Sequence, residues 1–343
     1  MSMYKLVKAA VLKLIPLVIK KKIFTVKLLF KHPFLIFKIN KQYPSENTVF
    51  LFSFPRSGSS WVGSILGGGK EARYLREPIT SEYMQTKPNR ISVFEKQRCD
   101  DWKQYEKCIK KASNGLPYLS HSVIKYPYQW RSKECSKPIV IKEVNPLIVD
   151  YVKSEFSAFV YLLRHPFSVA KSYKTLAWES EQFFEKKFSK NELEIILKYE
   201  PGIGTKDYWY KFGYMQGWIE AYVKNSVDMG KSTFIRYEEL CRDPLNQFNL
   251  LFEQCGLIYS DEVVERIKAS ISGNRSFEVG DFTLVRKQSD MKNVKVAQNE
   301  KSNYLLLMCA YNKAIVDYST ERYQDSTLLQ AEYHNDSCYV VEY

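Results

Sequence analysis

The sequence predicts an α/β fold, a three-layer sandwich with a central parallel sheet. Two stretches of β-branched and aromatic residues, 48–54 and 158–163, contain few polar residues, and each leads directly into a turn and a helix start. Strands that are buried on both faces give such uninterrupted apolar runs. The chain has 343 residues, 45% of them hydrophobic, which suffices for a large core and excludes disordered, collagen-like and disulfide-stapled proteins.

The first element is a basic and apolar leader, residues 1–42. Residues 1–41 contain ten of the lysines and no acid, so they account for most of the net charge of +13. The lysines at 13, 20, 27, 31 and 38 fall on one helical stripe, which is typical of a helix lying in a bilayer interface. Lysines also interrupt every apolar stretch, which argues against a transmembrane span or a secretory signal. Helices that cap the core, or a nucleic-acid-binding arm, are the alternatives.

The leader and the cysteines together predict a location. The seven cysteines are an odd number and none lies in a C-x-x-C pair, which favours reduced thiols in a cytosolic compartment. We therefore expect a cytoplasmic protein with peripheral membrane association through the leader. Its expected partner is an anionic membrane surface and not nucleic acid.

The strand at 48–54 runs into Pro55-Arg-Ser-Gly-Ser-Ser-Trp61 and then a helix start. A strand, a tight turn and a helix start aim backbone N–H groups at an anion, and Gly58 lets the backbone approach it closely. An ordinary Ser/Gly turn is the alternative. A nucleotide-triphosphate loop does not match, because its first glycine and its Lys-Ser/Thr pair are absent. Side-chain donors are added by Arg56, Ser57, Ser59 and Ser60.

The second strand, 158–163, ends in Arg164-His-Pro-Phe-Ser-Val-Ala-Lys-Ser-Tyr173. Pro166 suits the first turn of a helix, which places Ser172 about two turns further on. Arg164 and Ser172 can then both face the crevice where open α/β sheets bind ligands. This segment predicts a second phosphate site.

The two motifs together resemble the sulfotransferase family that uses 3′-phosphoadenosine 5′-phosphosulfate (PAPS), in its carbohydrate or bacterial-type branch. Residues 56–61 match the family pattern [Lys/Arg]-Ser-Gly-[Ser/Thr]-[Ser/Thr]-Trp, and the segment from Arg164 matches R-x-P-x-x-V-A-x-S-Y. A third motif, Arg236-Tyr-Glu-Glu-Leu240 followed by Pro244, comes in the family's order. The resemblance covers roughly 48–290 and implies a P-loop-like nucleotide-binding fold.

The resemblance also implies a donor site. The 5′-phosphosulfate would lie on the loop 56–60, and Arg56 would neutralise charge on the bridging oxygen as the sulfuryl group leaves. Trp61 would stack near the adenine. Arg164 and Ser172 would hold the 3′-phosphate.

Further donor contacts would come from Tyr237, on the nucleotide side, and from a late basic loop, 282–287. Arg286 and Lys287 are the candidates there, although the family's Lys-Gly-x-x-Gly pattern is absent. The family binds PAPS as a co-substrate without a divalent ion, so we expect no metal.

The catalytic base is less evident. Cytosolic relatives place a histidine two residues after a lysine, and here Lys142 matches the lysine while Val144 occupies the histidine position. Two carboxylates can take the role, with Glu77 ranked first and Glu143 second. A surface ion pair is the alternative for either. We expect His121 and His165 to be structural.

The remaining segments predict the acceptor and the domain plan. Residues 80–138 and 176–217 combine aromatic and polar residues and are candidates for acceptor recognition, with core packing as the alternative. A membrane-surface leader favours a carbohydrate or glycolipid acceptor. The predicted plan is the leader 1–42, a sulfotransferase domain 43–320 and a polar tail 321–343. The alternative functions are a nucleotide-triphosphate-dependent kinase or hydrolase, and a non-catalytic polybasic membrane-binding protein.

Overall fold

The structure, a computed structural model, describes residues 26, 30, 44–80, 102–115, 137–179, 183–272 and 296–322. These residues contain a five-stranded parallel sheet with the strand order β2-β3-β1-β4-β5. The strands are β1 Thr48–Ser53, β2 Arg73–Arg76, β3 Ile139–Glu143, β4 Ala158–Leu163 and β5 Ser232–Arg236. The predicted parallel sheet is confirmed, and both predicted strands lie at its centre.

The helices cover both faces of this sheet. In chain order they are α1 Ser59–Leu66, α2 Trp102–Ser113, α3 Val149–Val152, α4 Pro166–Thr175, α5 Lys190–Tyr199, α6 Tyr208–Ser226, α7 Tyr237–Arg242, α8 Pro244–Gln254, α9 Asp261–Ile271 and α10 Lys301–Arg322. Short 3₁₀ turns occupy Pro146–Ile148, Glu185–Lys187, Ile203–Thr205, Met229–Lys231 and Gln298–Glu300. Among the described residues, no helix combines the length and the apolar character needed to cross a bilayer.

Alternating side chains of the central strands divide the core into two parts. Phe50 and Phe52 of β1 pack with α4, α6 and α10, whereas Val49 and Leu51 pack with α1, α8 and α9. Successive residues of a strand face opposite sides, so a sheet with two apolar faces needs a helical layer on each. The three-layer architecture is therefore confirmed.

Helix α6 is central to one of these layers and was not predicted as a helix. Nearly every side chain from Trp209 to Val223 is buried, so the segment has no polar face to give a helical period. Gly213 and Gly217 bring α6 against α10, since a Cβ on either would lie 2.2 and 2.3 Å from the carbonyl oxygens of Leu307 and Tyr311. The aromatic residues in 208–217 therefore pack mainly in the core, which is the alternative to acceptor recognition given for this segment.

Several predicted segments lie outside the described residues. These are the leader 1–42 except positions 26 and 30, residues 81–101 and 116–136 of the candidate acceptor segment 80–138 (with His121), the basic loop 282–287 with Arg286 and Lys287, and the tail beyond Arg322. Helix α10 continues to Arg322, so its last two residues fall within the segment that the sequence assigns to the tail.

Candidate active site

The loop between β1 and α1 has the form that the first motif predicted. Gly58 is the N-cap of α1 and has a left-handed backbone, with φ of 93°. A Cβ at this position would lie 2.3 Å from Cε2 of Tyr237, so the close approach of that ring also requires glycine. The hydroxyl of Ser57 is buried and has no hydrogen-bond partner among the described residues, whereas Ser53 Oγ donates to Ser59 Oγ at 2.8 Å.

The two predicted phosphate motifs contact each other directly, and the surface around Arg56, Arg164 and Ser172 is called the donor cleft below. Arg56 Nε donates to Ser172 Oγ at 2.9 Å, and Arg164 Nη1 donates to the carbonyl oxygen of Arg56 at 2.7 Å. The contacts form because β1 and β4 are adjacent and parallel, so that both motifs leave the same edge of the sheet. Arg56 also has a positive φ of 74°, a region that costs a non-glycine residue free energy and recurs at functional sites.

Buried aromatic side chains pack behind the donor cleft. The guanidinium of Arg164 lies 4.8 Å from the ring centroid of Tyr237, and Tyr237 is buried. Trp61 is 0% exposed, contacts Tyr237 and Phe248 edge to face, and donates from Nε1 to Ser270 Oγ at 2.9 Å. This placement corrects the expectation that Trp61 stacks near the adenine, because the indole is fully buried among these residues. Tyr237 likewise backs the cleft and does not line it with an exposed face.

His165 is structural, in agreement with the prediction. Its Nδ1 accepts the backbone N–H of Phe167 at 3.2 Å and so caps the start of α4. Burial, together with the positive charges of Arg236 and Arg164, lowers the pKa of His165 to about 4. The ring is therefore neutral near pH 7 and can keep accepting this hydrogen bond.

Glu77 and Lys142 form a buried ion pair at the ends of β2 and β3. The backbone N–H of Glu77 donates to the Lys142 carbonyl oxygen at 2.7 Å, and Lys142 Nζ donates to Glu77 Oε1. Lys142 is 1% exposed and Glu77 is 23% exposed. Burial alone would raise the pKa of Glu77, but the charge and hydrogen bond of Lys142, with the charge of Arg76, lower it below the ordinary value. Glu77 is thus an ionised carboxylate that is partly accessible.

Glu143 lies beside this pair but faces the interior. It is 0% exposed, its Oε1 accepts the backbone N–H of Ile79 at 2.7 Å, and its Oε2 accepts that of Thr80 at 3.2 Å. Burial raises the pKa of Glu143 to about 7, against the effect of these hydrogen bonds. Because both oxygens are covered by backbone, the second-ranked base has no path to an acceptor.

Sheet register relates the two halves of the site. Phe52, near the end of β1, pairs with Glu143 on one side and with Tyr161 on the other. The Glu77–Lys142 pair therefore lies at the same edge as the Arg56 loop, on the side opposite Arg164. Within the described ranges, no group of three or more His, Cys, Asp or Glu residues is arranged to hold a metal ion.

One exposed aromatic residue borders the cleft. Trp178 is 46% exposed, and its ring centroid lies 5.7 Å from the Arg56 guanidinium. Ala177 adopts a left-handed φ of 50°, and the N–H of Trp178 donates to the Tyr173 carbonyl at 3.1 Å, so the end of α4 turns the indole back over Arg56. Of the aromatic residues in the predicted acceptor segment 176–217, Trp178 has the placement of a contact residue, whereas Phe184 and Trp209 are core residues.

Comparison with known proteins gives one matching family and several similar solved structures. A family model described as "Sulfotransferase family" matches residues 48–261. No curated protein matches the sequence. The sulfotransferase domain of the Synechococcus PCC 7002 olefin synthase is 15% identical, with 80% of this chain and 96% of that chain covered and a TM-score of 0.42.

Two other solved structures are similar at the same level. Mouse sulfotransferase SULT7A1, solved in complex with PAP, is 18% identical over 81% of this chain and 88% of that one, with a TM-score of 0.38. A sulfotransferase from Alicyclobacillus acidocaldarius is 12% identical over 80% and 96% of the two chains, with a TM-score of 0.40.

Proposed function

The chain belongs to the sulfotransferase family, whose model spans more than half of its length, and from this premise we propose its donor, acceptor and mechanism. The enzyme moves the sulfuryl group of PAPS to a hydroxyl group of a carbohydrate or glycolipid at the membrane surface. The observation that carries the proposal is the junction of the two motifs, in which Arg56 is hydrogen-bonded to both Ser172 and Arg164.

The residues of this cleft fit a donor with phosphates at both ends. Two guanidinium groups provide the positive charge, and α1 directs its N-terminal backbone toward the same place. The buried Ser57 hydroxyl has no partner of its own among the described residues and can donate to a phosphate oxygen. Arg56 Nε and Ser172 Oγ are bonded to each other, so we expect this bond to open if both groups are to contact a bound donor.

PAPS, when bound, supplies the sulfuryl group, and adenosine 3′,5′-bisphosphate is the leaving group. Arg56 neutralises negative charge that develops on the leaving side. Glu77, which is partly accessible, accepts the proton of the acceptor hydroxyl, since its lowered pKa keeps it ionised near pH 7. Lys142 fixes the orientation of that carboxylate through their hydrogen bond.

Support for the acceptor class comes from Trp178. A half-exposed indole beside Arg56 offers an apolar platform for the face of a sugar ring next to the transferred group. The basic leader would hold the enzyme at the cytoplasmic face of a membrane, where a glycolipid or a growing polysaccharide is presented.

The test is a transfer assay with labelled PAPS against fractionated membrane lipids and glycans. We expect label in a glycan or glycolipid fraction, and a loss of kcat of about 10²- to 10⁴-fold in Glu77→Gln, as for removal of a general base. Glu71→Gln, which changes an exposed carboxylate, is the matched control. Unaltered transfer by Glu77→Gln would exclude the proposed base. Magnesium-dependent ATP turnover without transfer would instead favour a kinase, and vesicle binding without any turnover a polybasic membrane protein.

A further inference from the structure

The buried carboxylate of Glu143 holds the start of the segment that carries Glu77. Residues 78–80 are helical, and the two N–H groups that Glu143 accepts, those of Ile79 and Thr80, belong to this first turn. Such groups have no partner within their own helix and are usually capped by a nearby side chain. Here the cap comes from a different strand, 63 and 64 residues away in sequence.

The backbone of Glu77 needs this support. Glu77 has a φ of 52°, in the left-handed region that a Cβ disfavours. Lys142 holds the chain before the bend, through its carbonyl oxygen, and holds the Glu77 side chain through Nζ. Glu143 holds the chain after the bend. Two consecutive residues of β3 thus fix both sides of the turn that carries the carboxylate.

We propose that Glu143 is a positioning residue for sulfuryl transfer, which keeps Glu77 in its left-handed conformation with the carboxylate at the cleft and does not itself touch a substrate. The inference rests on the proposed function of Glu77 as the base. A buried carboxylate is costly unless it is fully hydrogen-bonded, and an apolar side chain could fill the same space without holding the turn. A glutamine here can accept one N–H, but its NH₂ group would face the other.

The first test is direct and needs no acceptor. In Glu143→Gln, the amide protons of Ile79 and Thr80 should exchange at least about tenfold faster, as expected for the loss of one hydrogen bond, while those of the central strands stay unchanged. Calorimetric affinity for adenosine 3′,5′-bisphosphate should also stay unchanged, because the donor loop is separate. Glu192→Gln is the matched control, since Glu192 is also buried and accepts a hydrogen bond from Trp218 Nε1 at 2.6 Å in the helical layer. Unaltered exchange at Ile79 and Thr80 would overturn the proposal.

The second test is a double-mutant cycle, measured with the lipid or glycan fraction that accepts label. Glu143→Gln should lower kcat by about tenfold or more with little change in the KM for PAPS, and should cause no further loss in the Glu77→Gln background. A further loss of the same size in that background would show that Glu143 does not act through Glu77. If the parent chain transfers label but Glu77→Gln does so equally well, the proposed base fails and this inference fails with it, whereas a parent chain without transfer overturns the proposed function itself.

Discussion

Replacing Gly58 with alanine will destabilise the protein and disturb the donor cleft. The new Cβ would lie 2.3 Å from Cε2 and 2.5 Å from Cδ2 of Tyr237. The ring has little room to move, since it is buried and contacts Trp61 and the Arg164 guanidinium. A left-handed alanine costs about 1–2 kcal/mol, and overpacking of a core costs about 1–3 kcal/mol. We therefore expect the free energy of unfolding to fall by about 2–5 kcal/mol.

Denaturant unfolding of the full chain measures this loss. Gly204→Ala is the matched control, because a Cβ added at Gly204 would meet no atom within 4 Å and the residue lacks a positive φ; its free energy of unfolding should change by no more than about 0.5 kcal/mol. In a Tyr237→Ala background the clash disappears, so Gly58→Ala should there cost only the backbone part. Equal stability of the Gly58 and Gly204 variants would refute the assignment of this glycine.

Four further outcomes follow from the site. Arg164→Ala should weaken the calorimetric affinity for adenosine 3′,5′-bisphosphate by at least about tenfold, as for a lost charge-assisted contact, whereas the exposed Arg242→Ala should not. Trp178→Ala should raise the KM for the acceptor and leave that for PAPS unchanged. Burial raises the pKa of Glu143 from 4.5 to about 7, so the folded state binds this proton more tightly than the unfolded state does. The free energy of unfolding should therefore fall by about 3 kcal/mol as the pH rises across that interval. Glu143→Gln should lack this part of the pH dependence of thermal unfolding. Deletion of 1–41 should release the protein from sedimented membranes and spare transfer to a water-soluble acceptor; retention on membranes would contradict the role of the leader.

The strands and the donor motifs were predictable because their signals are local. β1 and β4 are apolar on both faces and each is followed by a turn with its own donors, so a short run of consecutive residues carries the information. The contact between Arg56 and Ser172 joins residues 116 positions apart. It follows from the sequence only if β1 and β4 are neighbours in the sheet, and no local pattern of residues fixes the order of the strands.

The role of Glu143 could not be predicted in this way. Two adjacent charged residues at the end of a strand, Lys142 and Glu143, suggest a site open to ligands. In the structure Lys142 pairs with Glu77, and the backbone of Ile79 and Thr80 covers the Glu143 carboxylate. The burial of Glu143 depends on Ile79 and Thr80, which lie 64 and 63 residues earlier in the chain. No local sequence pattern predicts that contact.

Helix α6 was missed for a related reason, yet it had a signal of its own. Gly213 and Gly217 are one helical turn apart, and small residues at this spacing let two helix backbones approach closely. Gln216 lies between these glycines and links α6 to the site. Its Nε2 donates to the Arg164 carbonyl oxygen at 3.4 Å and to Glu220 at 2.9 Å.

The position of Arg164 therefore depends on both faces of the sheet. On one face, Tyr237 supports its guanidinium and is itself seated against Gly58. On the other face, Gln216 contacts the Arg164 backbone and donates to Glu220. Glu220 in turn accepts a hydrogen bond from Tyr311 of α10, inside the helical layer. Since a glycine sets the spacing on each face, Gly217→Ala should move α10 away and weaken the calorimetric affinity for adenosine 3′,5′-bisphosphate, although Gly217 lies outside the donor cleft. Such a variant would separate the packing that orients Arg164 from the charge that Arg164 provides.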